Sequence, residues 1–133
     1  MERLLTETER VVFIRERFEK VMRAAKERED YEAIRFLAIA IPVMSNAVSS
    51  YFGYRSSELY ESEKGYDRLK TEAFTAESKR AMDRSVRVAV QNLNLCNRTA
   101  REYGMEDIFE DTSQMSSVEI VKNVFIPYLR EFE

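Results

Sequence analysis

The sequence contains no histidine and no tryptophan, and it has only three glycines, two prolines and one cysteine. Without imidazole there is no Ser-His or Cys-His nucleophile pair, no histidine general base and no Glu-x-x-His metal motif. The glycines stand alone at 53, 65 and 104, so they form no phosphate-binding loop. We therefore predict that the protein is not an enzyme and has no catalytic residue, metal site or cofactor.

The single cysteine, Cys96, excludes an internal disulfide framework and fits a reducing compartment. It lies on a predicted apolar helix seam, where a buried, inert thiol is the expected role. The first residues become charged too early for a secretory signal. The longest apolar run, 36–44, contains Pro42 and is less than half a bilayer-spanning helix. These features predict a cytoplasmic protein with no membrane partner.

The scarcity of turn residues points to long helices. With 133 residues, 44% of them hydrophobic and 34% charged, the chain has the size and composition of one globular domain. We predict a single all-α domain over 1–133. The net charge of −3 argues against a generally cationic nucleic-acid binder.

The first two predicted helices are bounded by recognisable caps. Apolar residues at spacings of three and four predict a helix over 3–28, and a capping box at Thr6 would move its start to 7. Asp30 is a good N-cap for a second, largely buried helix. Pro42 should kink that helix, and Gly53 suits a left-handed residue at its end.

The segment 54–75 leaves two alternatives open. A short helix begins at Ser56 or Ser57 and ends at Gly65, or one helix continues through the glycine, whose cost is only about 1 kcal/mol. We favour the short helix, bending into the next one.

The next helix, over 76–103, has an unbroken 4-3 apolar seam, with Thr75 as N-cap and Gly104 following its end. A second apolar row on this helix contains Val88 and Leu95. An acidic linker leads to a last helix, which begins with a Ser116–Glu119 capping box and is kinked or ended by Pro127. Four main helices with short connections predict an up-down bundle.

Arginines follow the outward side of the 76–103 helix. From Lys79 to Arg101 there are six basic residues and one acid over roughly 30 Å. The simplest interpretation is a solvated polar face, which the acids at 58–67 or 106–111 could neutralise. A functional interpretation is a binding surface for an acidic partner, nucleic acid or another anion. Its candidate binding residues are Arg80, Arg84, Arg87, Asn94, Arg98 and Arg101.

Two further groups suggest structural or interface roles. Asn92, Asn94 and Asn97 are poor helix formers, and we expect hydrogen-bonded amides that fix the helix register. Tyrosines crowd 51–66, and an apolar tail follows Pro127; both are typical of protein interfaces. The candidate interface residues are Tyr51, Tyr54, Tyr128, Leu129 and Phe132.

Taken together, these features predict a non-enzymatic helical interaction or scaffold protein that self-associates as a homodimer or binds another protein. The alternative is a module that binds an anion or nucleic acid through the arginines.

Overall fold

The computed structural model describes the backbone of residues 7–63 and 68–132 and the side chains of 14–60 and 72–132. Its helices are α1 (Glu7–Glu27), α2 (Tyr31–Glu63), α3 (Arg68–Glu102), α4 (Ser117–Ile120) and α5 (Ile126–Glu131), with a π-helical turn, Val121–Phe125, joining the last two. The described residues contain no strand, and the all-α bundle is confirmed. The predicted cap at Thr6 and the predicted helix end at Gly65 lie outside the described residues.

The turn between α1 and α2 is closed by local hydrogen bonds. The backbone N–H of Ala33 donates to Oδ1 of Asp30 at 3.2 Å, which confirms Asp30 as the cap of α2. The chain reverses through Glu29, whose φ of 53° lies in the left-handed region. Arg28 lies over the ring of Tyr103, 4.2 Å from its centroid, and so ties this turn to the end of α3.

The predicted end of the second helix at Gly53 is wrong, since α2 continues for ten further residues. Residues 54–63 belong to α2 and 68–75 begin α3, so the described part of 54–75 consists of the ends of two long helices and not of a separate short helix. Thr75 is not an N-cap: its hydroxyl donates to the carbonyl of Ser57 at 3.3 Å. Contacts with α3 thus hold α2 helical beyond Gly53, because they outweigh the glycine's small intrinsic cost.

The helices α2 and α3 pack against each other as an antiparallel pair. The predicted seam of α3 is confirmed, because its residues from Met82 to Ala100 are fully or almost fully buried. Two hydroxyl pairs set the register: Ser50 bonds Ser85 at 3.0 Å, and Ser57 bonds Ser78 at 3.2 Å. Residues whose numbers sum to about 135 therefore lie at the same level of this hairpin.

The third layer covers one side of the hairpin and only part of its length. Helix α1 and the C-terminal helices pack on α2, and the ring of Phe18 meets that of Phe132 edge-on at 5.2 Å. On α2 the buried apolar residues of the core end at Tyr51. On α3, the other helix of the hairpin, the buried apolar residues of the core begin at Met82. Beyond these levels, no residue that the structure describes forms a third layer on the two helices.

The linker after α3 is held by one buried amide. Gly104 has a φ of 71°, which confirms it as the left-handed residue that ends α3. Oδ1 of Asn97 accepts hydrogen bonds from the N–H groups of Ile108 and Phe109, each at 2.9 Å. Its Nδ2 donates to the carbonyl of Phe109 at 2.9 Å. Asn97 thus replaces the secondary structure that this buried backbone lacks.

The last helix begins as predicted, since the N–H of Glu119 donates to Oγ of Ser116 at 3.2 Å. Pro127 does not end this last helix, but the turn before the proline is π-helical and not α-helical. The N–H of Ile126 bonds the carbonyl of Val121, five residues back, and α5 then continues through the proline. The wider turn lies directly before a residue that has no N–H to offer to the preceding turn.

We predict that Asn97→Ala lowers the free energy of unfolding by about 2–3 kcal/mol, because it leaves buried backbone groups without partners. Asn94→Ala is the matched control, since Asn94 is exposed on the same helix. Urea denaturation monitored by circular dichroism measures both. Equal effects for the two variants would contradict the anchoring role of Asn97.

Candidate interaction surface

On one side of the α2–α3 hairpin, no residue that the structure describes forms a covering layer, and two rows of uncharged residues spaced by seven run along this side. We call these two rows the open face. On α2 the row is Ile39, Asn46, Gly53 and Tyr60, and on α3 it is Phe74, Ala81, Val88 and Leu95. Spacing by seven on paired helices is typical of a seam that packs against further helices.

The apolar members of these rows are unusually exposed. The exposed fractions are 40% for Ile39, 53% for Tyr60, 64% for Phe74 and 54% for Val88. A β-carbon built on Gly53 would meet nothing within 4 Å, so this part of the face is open space. The described part of the chain, 7–63 and 68–132, therefore leaves a helix-packing seam uncovered.

The two ends of the open face differ in shape. At the end near the α1–α2 turn, a hollow of about 230 Å³ lies between the two helices, with Ala33, Phe36, Leu95 and Thr99 among its lining residues. The charged groups Asp30, Glu32, Arg98 and Glu102 also line it. At the opposite end, the register places Tyr60 and Phe74 at the same level. One end is thus concave, and the other carries two projecting aromatic rings.

The open face also lacks charge along its centre. Helix α2 has no charged residue between Arg35 and Arg55, although many of its side chains in this stretch are exposed. A solvated surface normally carries interspersed charges of both signs. An uncharged stretch this long on an exposed helix is typical of a surface that packs against something.

The accessible surface of the chain is correspondingly large. It amounts to 9012 Å², whereas a compact monomer of 15.7 kDa exposes about 7,300 Å². The projecting hairpin contributes to this difference, because neither of its long sides is fully covered.

The tyrosines and apolar tail predicted as an interface lie elsewhere. Tyr51 and Tyr128 are only 7% and 2% exposed and belong to the core, so neither offers surface to a partner. Tyr54, Leu129 and Phe132 are half-buried and pack against the same core. Composition identified them as interface residues, but helical phase assigns them to the inner side. Of the open face, the sequence identified Val88 and Leu95, as a second apolar row, and Tyr60, as one of the tyrosines of 51–66.

The predicted binding residues Arg80, Arg84, Arg87, Asn94, Arg98 and Arg101 are all exposed on α3, as the helical period requires. Two of them are engaged in ion pairs. Arg98 pairs with Glu102 at 3.3 Å, and Arg101 forms two bonds with Asp107, at 2.6 and 2.7 Å. The acidic linker thus folds back onto the arginines, but only onto the last one.

The bidentate ion pair between Arg101 and Asp107 shifts the pKa of both side chains. The hydrogen bond from Arg101 to Asp107 raises the pKa of Arg101 and lowers the pKa of the Asp107 carboxyl. Arg80, Arg84 and Arg87 form no ion pair with any residue that the structure describes. Arg87 and Asn94 also line a cleft of about 450 Å³ between α3 and the 111–117 segment.

Two of the three predicted structural amides, Asn92 and Asn97, and the predicted burial of Cys96 are confirmed, whereas Asn94 is exposed. Asn92 donates from Nδ2 to the carbonyl of Phe36 at 3.0 Å, linking α3 to α2. Cys96 is fully buried beside it, and burial raises the pKa of its thiol to about 12. A thiol held protonated in this way is not a nucleophile. Among the described residues, no three His, Cys, Asp or Glu side chains gather where they could hold a metal ion.

By length and composition, one helical stretch, Tyr31–Tyr60, is apolar enough to cross a membrane, and 28% of its most apolar window is buried inside the protein. A core helix of a soluble protein and a signal sequence both satisfy the same criteria.

No family model matches the chain, and neither a curated protein nor a solved structure shows significant similarity to it.

Proposed function

We propose that this chain is a non-enzymatic helical interaction protein that self-associates through the open face of its α2–α3 hairpin. The observation that carries the proposal is the pair of rows spaced by seven, which have the spacing of a helix-packing seam and no covering layer among the residues that the structure describes. The interface residues are therefore Ile39, Tyr60, Phe74, Val88 and Leu95.

The area of the open face is sufficient for a specific dimer. The row from Ile39 to Tyr60 spans 21 residues, which is roughly 32 Å of helix. Two helices side by side are roughly 20 Å wide, so each copy offers about 600 Å². The total of about 1,200 Å² exceeds the roughly 1,000 Å² that distinguishes a specific interface from a chance contact.

The hairpin also supports a soluble, cytoplasmic location for this protein. Helix α2 pairs along its length with α3, whose outer side carries Arg80, Arg84 and Arg87. Burying such a pair in hydrocarbon would place several arginines in the membrane, which is strongly unfavourable. The uncharged face of α2 is better explained as a surface for protein packing.

We predict that the wild-type protein has a solution mass near twice 15.7 kDa and that Val88→Glu is a monomer. A carboxylate at position 88 would be buried without a partner in the dimer, which should weaken association at least tenfold. Light scattering on a size-exclusion column measures the mass, and circular dichroism checks that helix content is unchanged.

Phe52→Glu is the matched control for Val88→Glu. Phe52 is 56% exposed, close to the 54% of Val88, but it lies outside both rows. The substitution by glutamate introduces the same charge at both positions. It should therefore remain dimeric. A wild-type monomer at concentrations of about 100 μM would contradict the proposal, as would a Val88→Glu variant that still dimerises.

A second candidate function rests on the arginines that have no ion pair with any described residue. We propose as the alternative that Arg80, Arg84 and Arg87 bind a nucleic acid or another anion. Their guanidinium groups lie at i, i+4 and i+7 along about 10 Å of helix, and their acidic neighbours in sequence are Glu77 and Asp83.

If this alternative holds, a fluorescent single-stranded oligonucleotide should bind with an affinity that falls steeply with salt. Arg84→Glu should then weaken binding at least tenfold. Arg101→Glu should have a smaller effect, because Asp107 already neutralises Arg101 in the wild type. Fluorescence anisotropy at several salt concentrations measures both variants, and salt-independent or undetectable binding would eliminate this candidate.

A further inference from the structure

The two ends of the open face have complementary shapes. Tyr60 and Phe74 project from the distal end of the hairpin, and the hollow lined by Phe36 and Leu95 lies at the other end. The separation along α2, from Phe36 to Tyr60, is 24 residues or about 36 Å. The aromatic rings therefore cannot reach the hollow of their own chain. A second copy can supply them.

We infer that the partner on the open face is a second copy in the antiparallel orientation, with its aromatic end placed at the edge of the hollow of the first. This inference rests on the proposed self-association and specifies its geometry. A two-fold axis that crosses both helices at the middle of the hairpin places Phe74 of each copy opposite Leu95 of the other. The same axis places Tyr60 opposite Ile39, next to Phe36.

The register of the hairpin agrees with this axis. The midpoint of Phe74 and Leu95 on α3 lies between residues 84 and 85, and the midpoint of Ile39 and Tyr60 on α2 lies between 49 and 50. Ser50 and Ser85, which are joined by a hydrogen bond, mark this same level of the molecule. A single two-fold axis therefore places each row opposite the same row of the other copy, as an isologous interface requires.

The residues near the axis are complementary in size. The antiparallel arrangement sets Ala81 opposite Val88 and Gly53 opposite Asn46. In each pair a small residue meets a larger one, as interdigitating helix layers need. Gly53 leaves open space where its β-carbon would be, which gives room for the amide of the facing Asn46.

A parallel dimer would use the face less well. With its axis along the helices, α2 of one copy faces α3 of the other, and the aromatic ends of both copies lie at the same level. Four aromatic rings would then crowd one end of the dimer. At the other end the two hollows would face each other, so that their charged rims, which include Glu32 and Glu102, would meet. The antiparallel dimer instead places one aromatic end at the edge of each hollow.

Disulfide trapping separates the two orientations. In a Phe74→Cys, Leu95→Cys variant, the new thiols lie 21 residues apart on one helix, about 32 Å, so no bond can form within a chain. In the antiparallel dimer they face each other across the interface. Mild oxidation should therefore convert most of the protein into a covalent dimer on a non-reducing denaturing gel, whereas either single variant should remain largely monomeric on it. Cys96 is fully buried and should not take part.

The same experiment distinguishes failure of the orientation from failure of self-association. If the double variant is dimeric by light scattering but does not cross-link, whereas a Tyr60→Cys, Phe74→Cys variant forms covalent dimers, the parallel arrangement is correct. If the double variant and the wild type are both monomeric, self-association itself is wrong. Strong cross-linking of Phe74→Cys alone would also overturn the antiparallel arrangement.

Discussion

The antiparallel contact between α2 and α3 is the constraint on which the rest of the molecule depends. Its register is set by two hydroxyl pairs, Ser50 with Ser85 and Ser57 with Ser78, seven residues apart on each helix. Small polar side chains allow the two helices to run together beyond the apolar core. The register then determines which residues share the open face and where the hollow and the aromatic end lie. A shift by one residue would rotate each helix by 100° and destroy both rows.

The parts of the fold that follow from local chemistry were predictable. Asp30, Gly104 and Ser116 act at helix ends through their own side chains or backbone freedom, and sequence identifies them directly. Gly53 was misjudged, because its intrinsic preference differs from that of other residues by only about 1 kcal/mol. The many contacts between α2 and α3 outweigh this small preference and keep α2 helical beyond Gly53. A glycine near the middle of a hairpin arm therefore cannot be distinguished from a terminal one by local signals.

The candidate site was predictable only where one helix determines it. The arginines of α3 share a face by period alone, and they were located correctly. The neutralisation of Arg101 by Asp107 depends on the path of the linker, which Asn97 fixes from a buried position. The open face was largely missed because its α2 row includes Asn46 and Gly53, which no hydropathy pattern selects. Those residues become significant only when α3 supplies the other half of the surface.

Exposed aromatic rings are unfavourable for a lone chain. The rings of Tyr60 and Phe74 order water around apolar surface. A two-fold axis at the midpoint of the hairpin covers the aromatic ends of both copies, since each copy packs its rings at the edge of the other's hollow. The aromatic end and the hollow of one chain are too far apart to meet within that chain. Contact between them in a dimer is thus a reason for association in addition to the burial of apolar surface. It also ties the orientation of the dimer to the α2–α3 register, because only a register centred on Ser50 and Ser85 brings both ends into place simultaneously.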